Sequence, residues 1–308
     1  MDSKNEIVKG RKTFFIAPDE LLLSSDFMEE YLAKDYECYF IKSDLNNSIT
    51  TKVHTILSLF DDSIIFFNID HHIENEGTDW PHFIAKLSRE FPNVCIGIMY
   101  EKRKTLAEKQ LIEKLYLFQL CIKGGCVQLE FQKYRNFVLI EKVLYANQAM
   151  GRRKTVRAIC HNNNCYINYE DKSGKVLYLP LNDISLSHFS LTIKDDVQSP
   201  IQQSDKLMNL SFIIKGMRFI SNAILFTKRQ LDGGTLYVYA FFNNSGKIGL
   251  DNALNKLLIQ KMYEILYENC SSLLLTSYKD YQQRSEPAPV LMKKEIVFNE
   301  HVVEQTIN

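Results

Sequence analysis

From residue 13 to about 150 the hydrophobic period of the chain switches repeatedly between strand-like and helix-like. Thr13-Phe14-Phe15-Ile16-Ala17 is a short apolar run ended by Pro18, Asp19 and Glu20. A helical segment around Leu21 to Ala33 follows, and then a second strand at Cys38 to Ile41. Val53, Ile56, Leu57 and Phe60 have the i, i+3, i+4, i+7 spacing of a helix face. Ser63 to Ile69 is a continuous apolar run of the kind buried on both faces of a parallel sheet. Phe83, Ile84, Leu87 and Phe91 mark a third helix, Val94 to Met99 a fourth strand and Leu106 to Leu117 a fourth helix. Leu120 to Ile122 is read as a short fifth strand and Tyr134 to Met150 as a final helix. Five strand–helix units in this length predict a doubly wound, flavodoxin-like parallel sheet.

After residue 151 the pattern changes to hairpins. Arg157 to Asn168 alternates on either side of an Asn162-Asn163-Asn164 turn, and Asp171 to Gly174 is a second turn, followed by Val176, Tyr178 and Leu181. Leu210 to Ile214, Phe219 to Thr227 and Leu236 to Phe242 are further strands, the last two joined through Asp232-Gly233-Gly234 in a loop read as longer than two residues. Short strands with turns between them predict a small antiparallel barrel. Leu254, Leu257, Leu258, Met262, Ile265 and Leu266 give a closing helix over Asp251 to Tyr267 one apolar stripe. The stretch EPAPVLMKKEIVF, from Glu286, is a candidate edge strand in a C-terminal tail. The expected organisation is an α/β domain over 1–150, a β-barrel domain over 151–285 and a tail over 286–308.

The order of elements over residues 12 to 132 resembles the receiver domain of two-component systems. In that family acidic residues at the carboxyl ends of the strands hold a divalent cation, and one aspartate accepts a phosphoryl group. The resemblance puts Asp70, just after the third strand, at the phosphoacceptor position. It puts Asp19 and Glu20 near the acidic pair, and Lys123, just after the predicted fifth strand, at the phosphate-binding lysine. Tyr100 stands where the family has a small hydroxyl residue, and Gly124 where it has proline. The loop Asp70-His71-His72-Ile73-Glu74-Asn75-Glu76 holds metal-ligand residue types. It has no i, i+4 pair of the zinc-protease kind and is read as a polar loop without metal.

Two segments of the second half carry the functional reading. Gly151-Arg152-Arg153-Lys154-Thr155-Val156-Arg157 leads into the first barrel strand, and Asn182-Asp183-Ile184-Ser185-Leu186-Ser187-His188 follows the Val176–Leu181 strand. Together they resemble the PilZ family, whose pattern is RxxxR at the barrel entry and (D/N)xSxxG about thirty residues on. Arg153 and Arg157 match the first motif, with Arg152 doubling the arginine, and Asp183 and Ser185 match the second. The resemblance covers about 152–268 and implies binding of cyclic di-GMP through Arg152, Arg153, Arg157, Asp183, Ser185 and His188. The residue types suit that ligand. A guanidinium forks onto phosphate oxygens or onto guanine O6 and N7, and it stacks on bases. A carboxylate accepts from guanine N–H groups, and a hydroxyl adds one contact. His188 stands where the family has glycine, and its ring can either fill the space of a guanine or stack on one.

Composition narrows the function classes. Of 308 residues, 45% are hydrophobic and 24% charged, a globular profile. Lys+Arg and Asp+Glu are 37 each, so the net charge is zero and no global field draws nucleic acid or an anionic membrane. The polar start MDSKNEIVKGRK and the lack of a bilayer-length apolar run lead to the expectation of a cytoplasmic protein without membrane insertion. The seven cysteines, with close pairs Cys121/Cys126 and Cys160/Cys165, are read as reduced structural thiols. No catalytic triad, P-loop or cyclase signature is present. The expectation is a non-enzymatic effector without cofactor or metal, in which cyclic di-GMP at the junction reorients the domains. Its protein partner is expected in motility or envelope machinery. The alternatives are a ligand-independent interaction module and a response regulator phosphorylated at Asp70.

Overall fold

Five strands rich in Phe, Ile, Tyr and Val pair in parallel in the computed structural model, which describes residues 3–285 other than 43–46, 61, 72–78, 104, 152–154, 162–163, 171–173, 175, 196–204 and 244. The candidate tail strand from Glu286, Arg152 and Arg153, His72 to Glu76, Asn162-Asn163 and Asp171 to Ser173 therefore lie outside the described residues.

Strands β1 (Lys12–Ile16), β2 (Cys38–Ile41), β3 (Ser63–Asn68), β4 (Cys95–Glu101) and β5 (Gly125–Leu129) lie in the order β2-β1-β3-β4-β5, the doubly wound arrangement with one reversal of strand order. Side-chain alternation divides the core between the two faces of the sheet. Phe14, Ile16, Ile65 and Phe67 pack with helices α3 (Ile49–Leu59) and α4 (Trp80–Glu90). Phe15, Ile64 and Phe66 pack with α2 (Phe27–Leu32) and α6 (Lys133–Ala146). A short N-terminal helix α1 (Ser3–Val8) was not legible in the polar sequence.

The fifth strand is displaced from its predicted position. The chain runs through α5 (Leu106–Glu113) into a π-helical turn, Lys114–Gln119. Cys121 then takes a left-handed φ of 53°, and only at Gly125 does pairing with β4 begin. Leu120 to Ile122 is thus the exit from a helix rather than a strand. Gly124 explains itself here: a Cβ would lie 2.7 Å from the Gly97 nitrogen and from the Ile96 carbonyl carbon, so only glycine lets this backbone lie against β4.

The second sheet is antiparallel and curled, with order β6-β9-β10-β13-β12-β11-β7-β8. Its strands are β6 (Ala158–Ile159), β7 (Cys165–Glu170), β8 (Val176–Pro180), β9 (Asp183–Ile184), β10 (His188–Lys194), β11 (Lys206–Ile214), β12 (Met217–Leu231) and β13 (Gly234–Phe242). Phe189, Phe212, Phe219, Tyr239 and Phe241 fill its concave side. Pairing of Leu231 with Gly234 leaves only Asp232-Gly233 as the loop, so this hairpin is tighter than the sequence suggested; Gly233, at φ 80°, supplies the turn.

Helix α7 (Asn252–Ser285) has 34 residues and runs well past the predicted end at Tyr267. Cys270, Leu273, Leu274 and Tyr278 are buried. They extend the stripe beyond the polar Asn269 and Ser271-Ser272, which read as a stop. The helix packs on α2 and α3 beside edge strand β2 and also reaches β6. It joins the two halves through the Asn269 side chain, which donates to the Ile159 carbonyl at 2.8 Å. Across the same junction the Val156 N–H donates to the Asp35 carboxylate at 3.2 Å. Among the described residues no helix is long and apolar enough to cross a membrane.

Candidate functional site

Backbone pairing brings the two sequence segments together. Ala158 of β6 pairs with Ile184 of β9, and Ile159 with Asp183, so Arg157, the residue just before β6, lies at the Ser185 end of β9. Asp183 in turn pairs with Ser190 of β10. Arg157, Asp183, Ser185 and His188 are therefore neighbours, although about thirty residues separate the segments.

Each side chain has a distinct state. Asp183 is half-buried and accepts from the Ser190 hydroxyl at 2.6 Å; the other carboxylate oxygen has no recorded donor among the described residues. Ser185 is buried, and its hydroxyl is engaged within the turn: it donates to the His188 carbonyl and accepts from the His188 N–H, each at 3.0 Å. This serine holds the turn closed instead of presenting a free hydroxyl. His188 does not have a positive φ, so histidine meets no backbone strain where the family has glycine. Its Nδ1 lies 2.8 Å from the Ser187 hydroxyl, and its Nε2 is buried without a partner among the described residues. Burial, and then the nearby Arg157 guanidinium, push the imidazole pKa down, so the ring is neutral at neutral pH. The Phe226 and His188 rings pack in a T-shape, with centroids 4.9 Å apart and planes at 74°. Sequence reasoning missed both Ser190 and Phe226.

Arg157 is exposed and makes no hydrogen bond or ion pair among the described residues. It also lines a cavity of about 790 Å³ between the two halves, within the usual size range of ligand sites. The other cations lining that cavity are matched internally: Lys9 with Glu6 at 2.5 Å, Arg11 with Asp62 at 2.7 Å and Lys12 with Glu37 at 2.7 Å. Gly151 and Thr155, which flank the undescribed Arg152 to Lys154, line it too.

The acidic residues of the first half gather elsewhere, at the carboxyl ends of β1 and β3. Asp19, Glu20 and Asp70 line a cavity of about 400 Å³ with Asn68, His71 and Glu101. Asp70 is already engaged: Arg103 forms an ion pair with one oxygen, and the Glu101 N–H donates to the other at 2.6 Å. Glu20 pairs with Lys42, and Asp19 accepts from the Leu21 N–H at 2.8 Å. Among the described residues no cluster of three His, Cys, Asp or Glu side chains is arranged to hold a metal. Lys123 is not at this end. Because β5 starts later than predicted, Lys123 precedes the strand and donates to the Pro92 carbonyl at 3.4 Å, at the amino ends of the strands, opposite the carboxyl ends where Asp70 lies. The residue that follows β5 is Glu130, paired with Arg135 at 3.3 Å.

No protein-family profile matches the sequence, and no curated protein matches it. Solved structures match part of the chain. It is similar to YcgR in complex with c-di-GMP from Escherichia coli, with 14% identity and a TM-score of 0.27, covering 44% of this chain and 51% of that one. The complex of MrkH with c-di-GMP from K. pneumonia matches with 17% identity and a TM-score of 0.28, over 42% and 55% of the two chains. The PilZ domain of YcgR with c-di-GMP matches with 12% identity and a TM-score of 0.27, covering 44% of this chain and 99% of that domain. This chain thus spans about half the length of YcgR and of MrkH.

Proposed function

We propose that the chain is a non-enzymatic effector that binds cyclic di-GMP at the junction of its two halves. The observation that carries the reading is Arg157. It is an exposed guanidinium without a counter-ion among the described residues, beside the Asp183–His188 turn and on the wall of the cavity between the halves. A guanidinium in that state is ready to fork onto a phosphate or the guanine Hoogsteen edge, and the open oxygen of Asp183 suits guanine N–H donors. Arg152 and Arg153, just upstream, would close over the bound ligand as the PilZ pattern implies. Ser185 shapes the turn that presents Asp183 and His188. Ligand gripped there touches the segment joining the halves, so binding would reorient them and alter the surface offered to a protein partner, which we place in motility or envelope machinery.

Calorimetric titration of the purified chain with cyclic di-GMP tests this directly. Saturable one-site or two-site binding is expected, and no heat at high micromolar ligand would overturn the reading. A chain blind to the ligand that still captures a partner would be an interaction module instead.

The same reasoning makes the receiver-like half a scaffold. A phosphoacceptor aspartate works with a bound cation and a phosphate-binding lysine, whereas Asp70 is neutralised by Arg103 and Lys123 lies at the opposite ends of the strands. Incubation with acetyl phosphate and magnesium is expected to leave the chain unlabelled. Label that disappears in Asp70→Asn would restore the response-regulator reading.

A further inference from the structure

We infer that Phe226 is a stacking shelf for a purine base of the ligand, an assignment that rests on the cyclic di-GMP reading above. Phe226 sits at the register shift between Leu225 and Thr227 in β12. A bulge of this kind inserts one unpaired residue and re-aims its side chain. The ring it turns outward is 67% exposed. A scattered exposed phenylalanine is ordinary; the position of this one is not. Among the described residues the one ring packed against it is His188, which opens β10 at the end of the Asp183–His188 turn.

The two rings together make an apolar step beside the turn. His188 contributes a ring whose Nδ1 is engaged by Ser187 and whose Nε2 is buried. Arg157, just before β6, stands beside the same turn. A flat apolar ring, an imidazole packed against it and a guanidinium unpaired among the described residues form the combination that holds a planar heteroaromatic base. The aromatic face stacks on the base, and the guanidinium can cover its other side or take its polar edge. In this arrangement His188 acts as the buttress that fixes the shelf.

The experiment is calorimetry with cyclic di-GMP on the full chain and on Phe226→Ala, Phe226→Leu and Phe226→Trp, with thermal melts of each. The alanine and leucine variants are expected to bind about tenfold more weakly, because leucine keeps apolar bulk but has no flat face. Their melting temperatures should match the parent, since the side chain is mostly exposed. Phe226→Trp is expected to bind at least as tightly. Its emission should be quenched along the same isotherm, the native chain having one tryptophan, Trp80, which is buried. If the parent binds and the leucine and alanine variants bind equally well, or if the new tryptophan does not respond, the shelf is overturned and the ligand reading stands. A parent that does not bind at all overturns the ligand reading and the shelf with it.

Discussion

Arg157→Ala is expected to weaken cyclic di-GMP binding about 100-fold while leaving the fold unaffected. Truncating one partner of a desolvated, hydrogen-bonded charge pair costs about 2–5 kcal/mol, and 100-fold is about 2.7 kcal/mol. In the free protein the same guanidinium holds nothing: it is exposed and has no partner among the described residues. Exposed substitutions of that kind change stability by about 0.5 kcal/mol or less. Arg157→Lys should fall between, because an ammonium keeps the charge and loses the fork. Asp183→Ala makes an instructive contrast. It would remove the acceptor of the Ser190 hydroxyl, whose residue is buried, and an unsatisfied buried hydroxyl costs about 1–3 kcal/mol. Lost binding in that variant would therefore mix a site effect with a folding effect, and Asp183→Asn, which keeps an acceptor, is the cleaner probe. Titrations paired with urea melts check the set. Arg157→Ala binding like the parent would show that the ligand, if bound, uses another surface.

The contrast between Arg157 and Lys123 shows what the sequence made legible and what it concealed. Both were assigned from their place next to a strand. For Arg157 the strand is short and its entry is marked by alternation on both sides of a turn, but its partner is β9 and not β7, the strand across that turn. For Lys123 the assignment depended on where β5 begins, and Leu120 to Ile122 has the apolar content of a strand without its geometry. The π-helical turn over Lys114–Gln119 and the left-handed Cys121 shift that start, and neither has a composition signature. Period-two and period-3.6 patterns located the parallel strands β1 to β4 and most helices, because burial on one or both faces writes itself into the residue order. The end of α7 was concealed for the opposite reason. Asn269 and Ser272 resemble a helix stop, yet Asn269 donates to Ile159 and the buried residues beyond it continue the stripe. Phe226 was unreadable because a bulge breaks the alternation on which facing is judged. The role of Ser185 followed a similar course: the motif gave its position, and only the hydrogen bonds to His188 reveal that it closes a turn.

Glu37→Ala is expected to be the most destabilising of the single changes considered at the junction, by about 3–5 kcal/mol, the usual cost of breaking a buried ion pair from one side. The Lys12 side chain is 3% exposed and that of Glu37 12%, with 2.7 Å between nitrogen and oxygen. Among the described residues Lys12 retains only the Lys9 carbonyl, at 3.2 Å, and the Phe60 ring, at 5.9 Å, if the carboxylate goes. Those are too little to solvate an ammonium away from water. The same carboxylate oxygen accepts from the Tyr39 hydroxyl at 2.6 Å. Burial and then Glu37 hold that phenol protonated well above the ordinary range, so it stays a donor, and after the substitution its remaining contact is the Leu266 carbonyl at 3.4 Å. Two donors on two strands therefore depend on one acid, and one of them reaches α7. The competing effect is hydration through the neighbouring cavity, which Lys12 and Glu37 line. If water enters it freely, the stranded lysine is solvated and the loss falls below about 1 kcal/mol, the range of exposed pairs. The urea midpoint decides between the two, with an unchanged slope showing that the unfolded state is not the cause. The double variant Lys12→Met with Glu37→Leu removes both charges and should recover most of the loss, because apolar replacement of a buried pair is often neutral. Recovery would assign the cost to the isolated charge, and no recovery would assign it to the Tyr39 contact and the packing of α7 on β2.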